Sequence, residues 1–182
     1  MNWKNTSFRY GSLSIGIHWL MFLLFIAVYA SIELRELYPK GSDPREALKT
    51  WHFMLGMLVF FLVWPRLAAR LAAPTPGIQP PPVNWQAISA NLLKFALYVL
   101  MIGMPISGWL LLSASGKPIP FFGFQLPALI AENKDLAKLI KEIHETTGTV
   151  GYYLIGLHFV AALYHHYIKR DNTLLRILPE RK

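Results

Sequence analysis

Cysteine is absent from this 182-residue chain, which excludes disulfides, thiolate chemistry, iron–sulfur clusters and covalently attached c-type haem. Charge is also scarce: only 15% of the residues are charged, and ten of these are acidic. The net charge of +8 can indicate a nucleic-acid partner. In a chain that is 54% hydrophobic, basic segments that flank membrane spans explain it better. We therefore expect lipid as the surrounding partner and no nucleic acid.

Four long apolar stretches are each close to the roughly 20 residues that cross a bilayer as a helix. They cover about residues 13–32, 50–70, 88–112 and 143–168, and the fourth is compatible with an exposed helical start near Lys134. The first lacks a small-residue cleavage site, which favours a retained helix over a signal peptide. A proline-rich connector, Pro74 to Pro82, separates the second stretch from the third. These features predict an all-α integral membrane four-helix bundle, with residues 1–182 forming a single membrane domain.

The basic residues indicate an orientation. Four spans place both termini and the proline-rich connector on one side of the membrane. That side has two acids, Asp171 and Glu180, and ten basic residues: Lys4, Arg9, Arg66, Arg70, Lys94, Lys169, Arg170, Arg176, Arg181 and Lys182. The other side has eight of each kind. This modest basic excess predicts that both termini are cytoplasmic.

Six histidines lie in or beside the spans: His18, His52, His144, His158, His165 and His166. Ionisable residues in membrane helices are costly and usually functional. Each histidine alone also has an ordinary structural interpretation. His18 is compatible with a neutral side chain bonded to a neighbouring helix, and the histidines near the span ends are compatible with interfacial positions.

The spacing of four of these histidines predicts two pairs. His144 and His158 are 14 residues apart, which is ~3.9 helical turns and ~21 Å, so both face nearly the same direction. His52 begins the second span at the level of His144. His18 lies 14 residues before Ile32, the outer end of the first span, which places it level with His158.

Paired histidines at two depths do not suit zinc, which takes three or four ligands close together. They suit the two axial positions of haem iron held between facing helices. Gly56 and Gly148 each lie four residues after a histidine, on the same helix face, where a flat macrocycle needs space. Ordinary close packing of membrane helices is the alternative explanation for each glycine.

Several motifs give the chain a resemblance to the bacterial cytochrome b561 family over nearly its whole length. They are Ile17-His18-Trp19, Trp51-His52 with Gly56, His144-Glu145-Thr146 with Gly148, Gly156-Leu157-His158, Ala161 to Tyr167, and the tail Lys169 to Arg176. The resemblance implies two non-covalent haem b groups in the bacterial inner membrane. It assigns the outer haem to His52 and His144 and the inner haem to His18 and His158.

The resemblance further implies an oxidoreductase that takes electrons from superoxide at the periplasmic face and passes them to ubiquinone. The alternative is a cytochrome b subunit that relays electrons between a partner, such as a periplasmic redox protein, and the quinone pool. A non-redox channel or structural protein is the third hypothesis.

Substrate sites are less defined by the sequence. Lys49, Lys138 and Lys141 lie near the proposed outer haem, where positive charge would attract superoxide, although interfacial lysines are common. Candidates for a quinone site are His165, His166 and Arg66 at one end and Trp51 and Glu145 at the other, and the sequence does not choose among them. Arg66 and Arg70 are alternatively suited to the propionates of the inner haem.

Overall fold

The computed structural model describes residues 3–179, so the two chain ends that the charge pattern places in the cytoplasm lie outside the described residues. Four long helices dominate it: α1 (Ser12–Leu34), α2 (Asp43–Leu71), α3 (Asn84–Ala114) and α4 (Lys134–Tyr164). Each lies in a segment long and apolar enough to cross a membrane. Large apolar side chains such as Phe95 and Tyr153 remain 68% and 75% exposed, as expected for surfaces that face lipid. The predicted all-α fold with four membrane-spanning helices is confirmed.

All four helices begin earlier than the apolar stretches, and α2 and α4 do so by the largest margins. α2 begins at Asp43, with Asp43 and Glu46 in its first turn, where acidic residues favour a helix start. α4 begins at Lys134, and the Asn133 side chain caps it by accepting a hydrogen bond from the Leu136 N–H at 2.9 Å. Both extensions are polar, so hydropathy alone does not reveal them.

Short elements complete the connections. A 3₁₀ turn (Arg35–Leu37) follows α1, a π-helical turn (His165–Lys169) follows α4, and the connector with Pro74 to Pro82 contains no regular structure. In the first connection, Arg45 is buried and donates to the carbonyls of Arg35 and Tyr38. Its other terminal nitrogen reaches both carboxylate oxygens of Glu36 at 2.9 Å. Arg45 therefore fixes the chain between α1 and α2.

A two-stranded antiparallel hairpin, β1 (Pro120–Phe121) and β2 (Phe124–Gln125), interrupts the connection between α3 and α4. Its turn residues Phe122 and Gly123 have φ of 46° and 88°, as required for tight hairpin turns. The ring of Phe121 lies 5.1 Å from that of Phe61, and the ring of Phe122 lies 6.2 Å from that of Trp51. These contacts pack the hairpin against α2.

The residue contacts define two compact units, each with parts of all four helices. The first comprises the described residues of Met1–Leu20, Leu62–Val99 and Val150–Lys182, and the second comprises Met21–Phe61 and Leu100–Thr149. Ile15 and Val63 are buried in the first unit, and Met57, Val59 and Leu112 in the second. The histidines predicted to form a pair fall in the same unit in both cases.

The C-terminal segment is bound within the first unit. Trp19 donates its indole N–H to the Ile177 carbonyl at 2.9 Å, and Arg9 donates to the Leu178 carbonyl at 2.5 Å. The Gln79 N–H donates to the side chain of Asn172 at 2.8 Å. The segment after α4 is therefore held by α1, by the N-terminal arm and by the proline-rich connector.

Candidate functional site

His52 and His144 face each other in the second unit. His52 lies on α2 and His144 on α4, and their ring centres are 6.3 Å apart with the ring planes at 78°. The Nδ1 of His52 lies 3.0 Å from the carbonyl oxygen of Val28. A carbonyl only accepts hydrogen bonds, so this Nδ1 carries the proton. The Nε2 of His52 therefore keeps its lone pair for a metal.

His144 is oriented in the same way by α3. Its Nδ1 lies 2.8 Å from the hydroxyl oxygen of Ser107, which itself donates to the Met104 carbonyl. Because that hydroxyl has only one hydrogen, it accepts from Nδ1–H of His144, and Nε2 is again free to bind metal. The neighbouring Gly108 allows this approach, since a Cβ there would lie 3.3 Å from Cε1 of His144.

His18 and His158 face each other in the first unit. Their ring centres are 6.4 Å apart, with the planes at 63°. A terminal nitrogen of Arg66, on α2, lies 3.1 Å from Nδ1 of His18. A guanidinium only donates hydrogen bonds, so Nδ1 accepts here and the proton of the neutral ring lies on Nε2. This pair has the same spacing as the first but a different hydrogen-bonding environment.

Both spacings fit two imidazoles on opposite sides of one metal ion. Two metal–nitrogen bonds of about 2 Å each and two distances of about 1.1 Å from nitrogen to ring centre together span about 6.2 Å. Space for a planar group is also present, because a Cβ at Gly56 would have no atom of the described residues within 4 Å. Across residues 3–179, no three His, Cys, Asp or Glu side chains form a group that could hold a metal ion. The residues therefore fit haem iron with two axial histidines.

The three lysines proposed for superoxide lie in the second unit, and two of them have acidic partners. Lys49 contacts Glu46 at 2.5 Å, and Lys141 contacts Glu145 at 3.7 Å. Lys138 is exposed on α4.

A cavity in this unit adds a lysine that the sequence reasoning did not select, Lys117. Thr50 and Phe53, which flank His52 in sequence, line the cavity with Lys49 and Lys117. The Phe53 ring also lies 6.0 Å from the His52 ring. Lys117 follows the turn at Gly116, whose φ is 63°, and only the folded turn brings it beside Lys49. The cavity, which Glu46 also lines, therefore brings Lys117 together with the Lys49–Glu46 ion pair near the start of the apolar part of α2.

The two remaining candidates for a quinone site, His165 and His166, lie in the first unit. His165 lies in the first unit with its Nδ1 2.5 Å from a carboxylate oxygen of Asp171, whose side chain is 4% exposed. Burial on its own would raise the pKa of Asp171, but hydrogen bonds from His165 and Thr173 lower it, and the net pKa is below the usual aspartate value. The His166 ring packs on Tyr167 at 4.7 Å. His165 thus has a structural partner that links the π-helical turn to the C-terminal segment.

Four membrane-spanning helices and two facing histidine pairs are typical of one class, the membrane proteins whose helices hold haem between imidazoles. The family described as prokaryotic cytochrome b561 matches residues 9–180, and the chain belongs to this family. It is similar to "Cytochrome b561 homolog 1" of Escherichia coli (strain K12), with 41% identity over 96% of this chain and 99% of the relative.

Two further relatives also match almost end to end. "Probable superoxide oxidase CybB" of Yersinia pestis is 38% identical over 96% of this chain and 98% of its own length. "Cytochrome b561 homolog 2" of Escherichia coli (strain K12) is 30% identical over 98% and 95%. The chain is therefore a multi-pass bacterial membrane protein of electron transfer and an oxidoreductase, and its family implies haem b.

Proposed function

We propose that the chain holds two haem b groups, oxidises superoxide at the periplasmic face and passes the electrons to ubiquinone. One haem lies between His52 and His144 and the other between His18 and His158. The observation that carries the proposal is the spacing of the two ring pairs, 6.3 and 6.4 Å, which matches a metal with two axial imidazoles. The relative named a probable superoxide oxidase supports the choice of substrate.

The protein residues have distinct tasks in this reaction. Haem b, when bound, supplies a reversible one-electron iron couple whose potential the protein sets. The carbonyl of Val28 and the hydroxyl of Ser107 hold the imidazoles of one pair in the metal-binding tautomer. His52 and His144 would hold the haem iron between them and leave it no open position for superoxide. The haem would then supply one-electron transfer without binding superoxide at the metal.

Superoxide would approach this pair through the cavity lined by Lys117 and by Lys49, whose charge is partly balanced by Glu46. Positive charge at a cleft raises the encounter rate of a small anion. Two superoxide anions lose one electron each and leave as dioxygen, and one ubiquinone takes up these two electrons with two protons. With both termini in the cytoplasm, as the charge pattern predicts, the His52–His144 pair would lie toward the periplasm and superoxide would be oxidised there.

The cofactor content tests the two sites. We expect two haem groups per chain, both released by acidic organic solvent, and one fewer in His52→Ala or His158→Ala. His166→Ala is the matched control, since its ring packs on Tyr167, and it should keep both. A ratio of one haem in the unaltered protein, or loss of haem in the control alone, contradicts the assignment.

The substrate is tested by stopped-flow reduction of the purified chain with superoxide, followed by transfer to a soluble ubiquinone analogue. Rapid reduction and stoichiometric quinol formation are expected without any other protein. A chain that binds two haems yet reacts only when a second redox protein is added would instead be an electron-relay subunit. Orientation is tested separately with a reporter at the C-terminus, which should be active only if it functions in the cytoplasm.

A further inference from the structure

Positive charge surrounds the His18–His158 pair without matching acids. The first unit has ten basic and two acidic residues by sequence. Arg66 on α2 and Lys94 on α3 are near enough for their charges to act on His158, and the charges of Arg70 and Arg176 act on Lys94. The charge of Asp171 acts on Arg176, which belongs to this group of cations. The carboxylate of Asp171 is already hydrogen-bonded to His165. Cations inside a membrane segment are costly unless they are paired.

The second unit shows the contrasting arrangement. Arg35 and Arg45 share the carboxylate of Glu36, each at 2.9 Å, and Lys49 contacts Glu46. Arg35, Arg45 and Lys49 therefore have acidic partners in the protein. The cations near His158 lie in a unit whose helical segments contain no acid at all by sequence.

Arg66 is the clearest sign of a missing anion. Its Nε is buried and has no hydrogen-bond partner, and a buried unsatisfied donor on a charged group is especially unfavourable. Its terminal nitrogen donates a hydrogen bond to Nδ1 of His18, which is an uncharged acceptor. A planar guanidinium is suited to bind a carboxylate through two parallel hydrogen bonds.

The contact between Arg66 and His18 is also incompatible with metal binding through Nε2. Ligation requires the Nε2 lone pair, so the ring hydrogen moves to Nδ1. Nδ1–H and the guanidinium are then both donors and no longer bond to each other. Uptake of the cofactor must release Arg66, which then needs a new acceptor.

We propose that Arg66 is the carboxylate-binding residue for a propionate of the haem held by His18 and His158. Arg66 exchanges Nδ1 of His18 for a propionate when the haem binds. This inference rests on the proposed function, which assigns a haem to that pair. The contact would fix the orientation of the haem and place positive charge beside it.

Positive charge at the propionates favours the reduced iron. We expect Arg66→Gln to lower the equilibrium constant for one-electron reduction of this haem about tenfold. This corresponds to a fall of about 59 mV in its reduction potential, and Lys94→Gln should have a smaller effect. Both should keep a low-spin spectrum with two axial histidines, and the other haem should keep its potential. Lys169→Gln is the matched control, since its ammonium group packs over the ring of Tyr164 at 5.9 Å. Equal shifts for Arg66→Gln and Lys169→Gln would overturn the proposal.

Haem dimethyl ester, which lacks the two carboxylates, gives a test that does not depend on the stability of a variant. The unaltered protein, stripped of cofactor and reconstituted, should bind the ester at the His18–His158 pair about ten- to hundredfold more weakly than haem b. Arg66→Gln should weaken binding of haem b by a similar factor and leave binding of the ester unchanged. Equal weakening of both cofactors by the substitution would overturn the propionate contact.

Anionic lipid is the other source of an acceptor for these cations. Nanodiscs of phosphatidylcholine alone and of phosphatidylcholine with phosphatidylglycerol distinguish the two. Loss of bound phosphatidylglycerol in Arg66→Gln, with haem potential and ester discrimination unchanged, would assign the site to lipid and overturn the proposal. If the chain binds no haem at all, the proposed function itself is wrong. The haem-to-protein ratio detects that outcome directly.

Discussion

Replacing Ser107 by alanine removes the acceptor of the hydrogen bond from Nδ1 of His144, 2.8 Å long in the structure. Loss of such a partner typically costs 10–100-fold in metal affinity, equivalent to about 1.4–2.8 kcal/mol. The Nδ1–H of His144 would be left part-buried without an acceptor. The imidazole also becomes less basic, which disfavours oxidised iron, so the reduction potential of this haem should rise.

The measurement is haem transfer from the purified protein to an excess of a high-affinity haem acceptor, with a redox titration of both haems. We expect one haem to dissociate 10–100-fold more readily in Ser107→Ala, while the other is unchanged. Ser115→Ala is the matched control, because the Ser115 hydroxyl donates to the Leu111 carbonyl on the same helix and contacts no histidine. If Ser107→Ala and Ser115→Ala have the same haem affinity and potential, Ser107 does not orient the ligand and the reasoning is refuted.

Gly56→Leu should give folded protein with one haem instead of two, because the leucine fills open space that the cofactor needs, while Gly103→Leu, at an exposed open position on α3, should keep both. Asp171 has a lowered pKa in the folded chain. The contribution of its carboxylate to folding stability is therefore fully present above about pH 4, the usual aspartate pKa. This contribution is lost as pH falls through the pKa of the folded state. Acid should therefore reduce the protection of backbone amides against hydrogen exchange in the C-terminal segment. Asp171→Asn should remove this pH dependence of the protection and lower the stability of the segment. Lys117→Gln should slow reduction by superoxide more than Lys138→Gln, with a difference that shrinks between 0.1 M and 1 M salt as the Debye length falls from ~10 Å to ~3 Å; equal rates at low salt would remove the steering argument.

The four helices were predictable because hydropathy alone reveals four spans. The facing of His144 and His158 was predictable because their 14-residue spacing depends only on the pitch of one helix. An exposed start of α4 near Lys134 was also predictable from the sequence, and Asn133 caps it. The polar start of α2 was not predicted, because its first turns are not buried in lipid.

The partners of the histidines were not predictable in the same way. The contact of Val28 with His52 is made by a backbone carbonyl, which leaves no mark in the sequence. Ser107 is one of several serines in the chain, and only the packing of α3 on α4 selects it. Lys117 likewise joins Lys49 through the turn at Gly116. Such contacts arise from tertiary packing between segments far apart in the chain.

The hydrogen bonds of the His52–His144 pair affect how electron transfer would respond to the membrane potential. Both Nδ1 hydrogens are held by acceptors, the Val28 carbonyl and a Ser107 hydroxyl whose own hydrogen is committed to Met104. Neither acceptor readily takes up a proton, so a haem held by this pair would change charge without proton transfer to these groups. In the proposed orientation, an electron that moves from this haem toward the cytoplasm would carry its charge against a potential that is negative inside, at about 2.3 kcal/mol per 100 mV for a full crossing. Superoxide disposal would then be slowed by a strongly energised membrane and accelerated when the potential collapses.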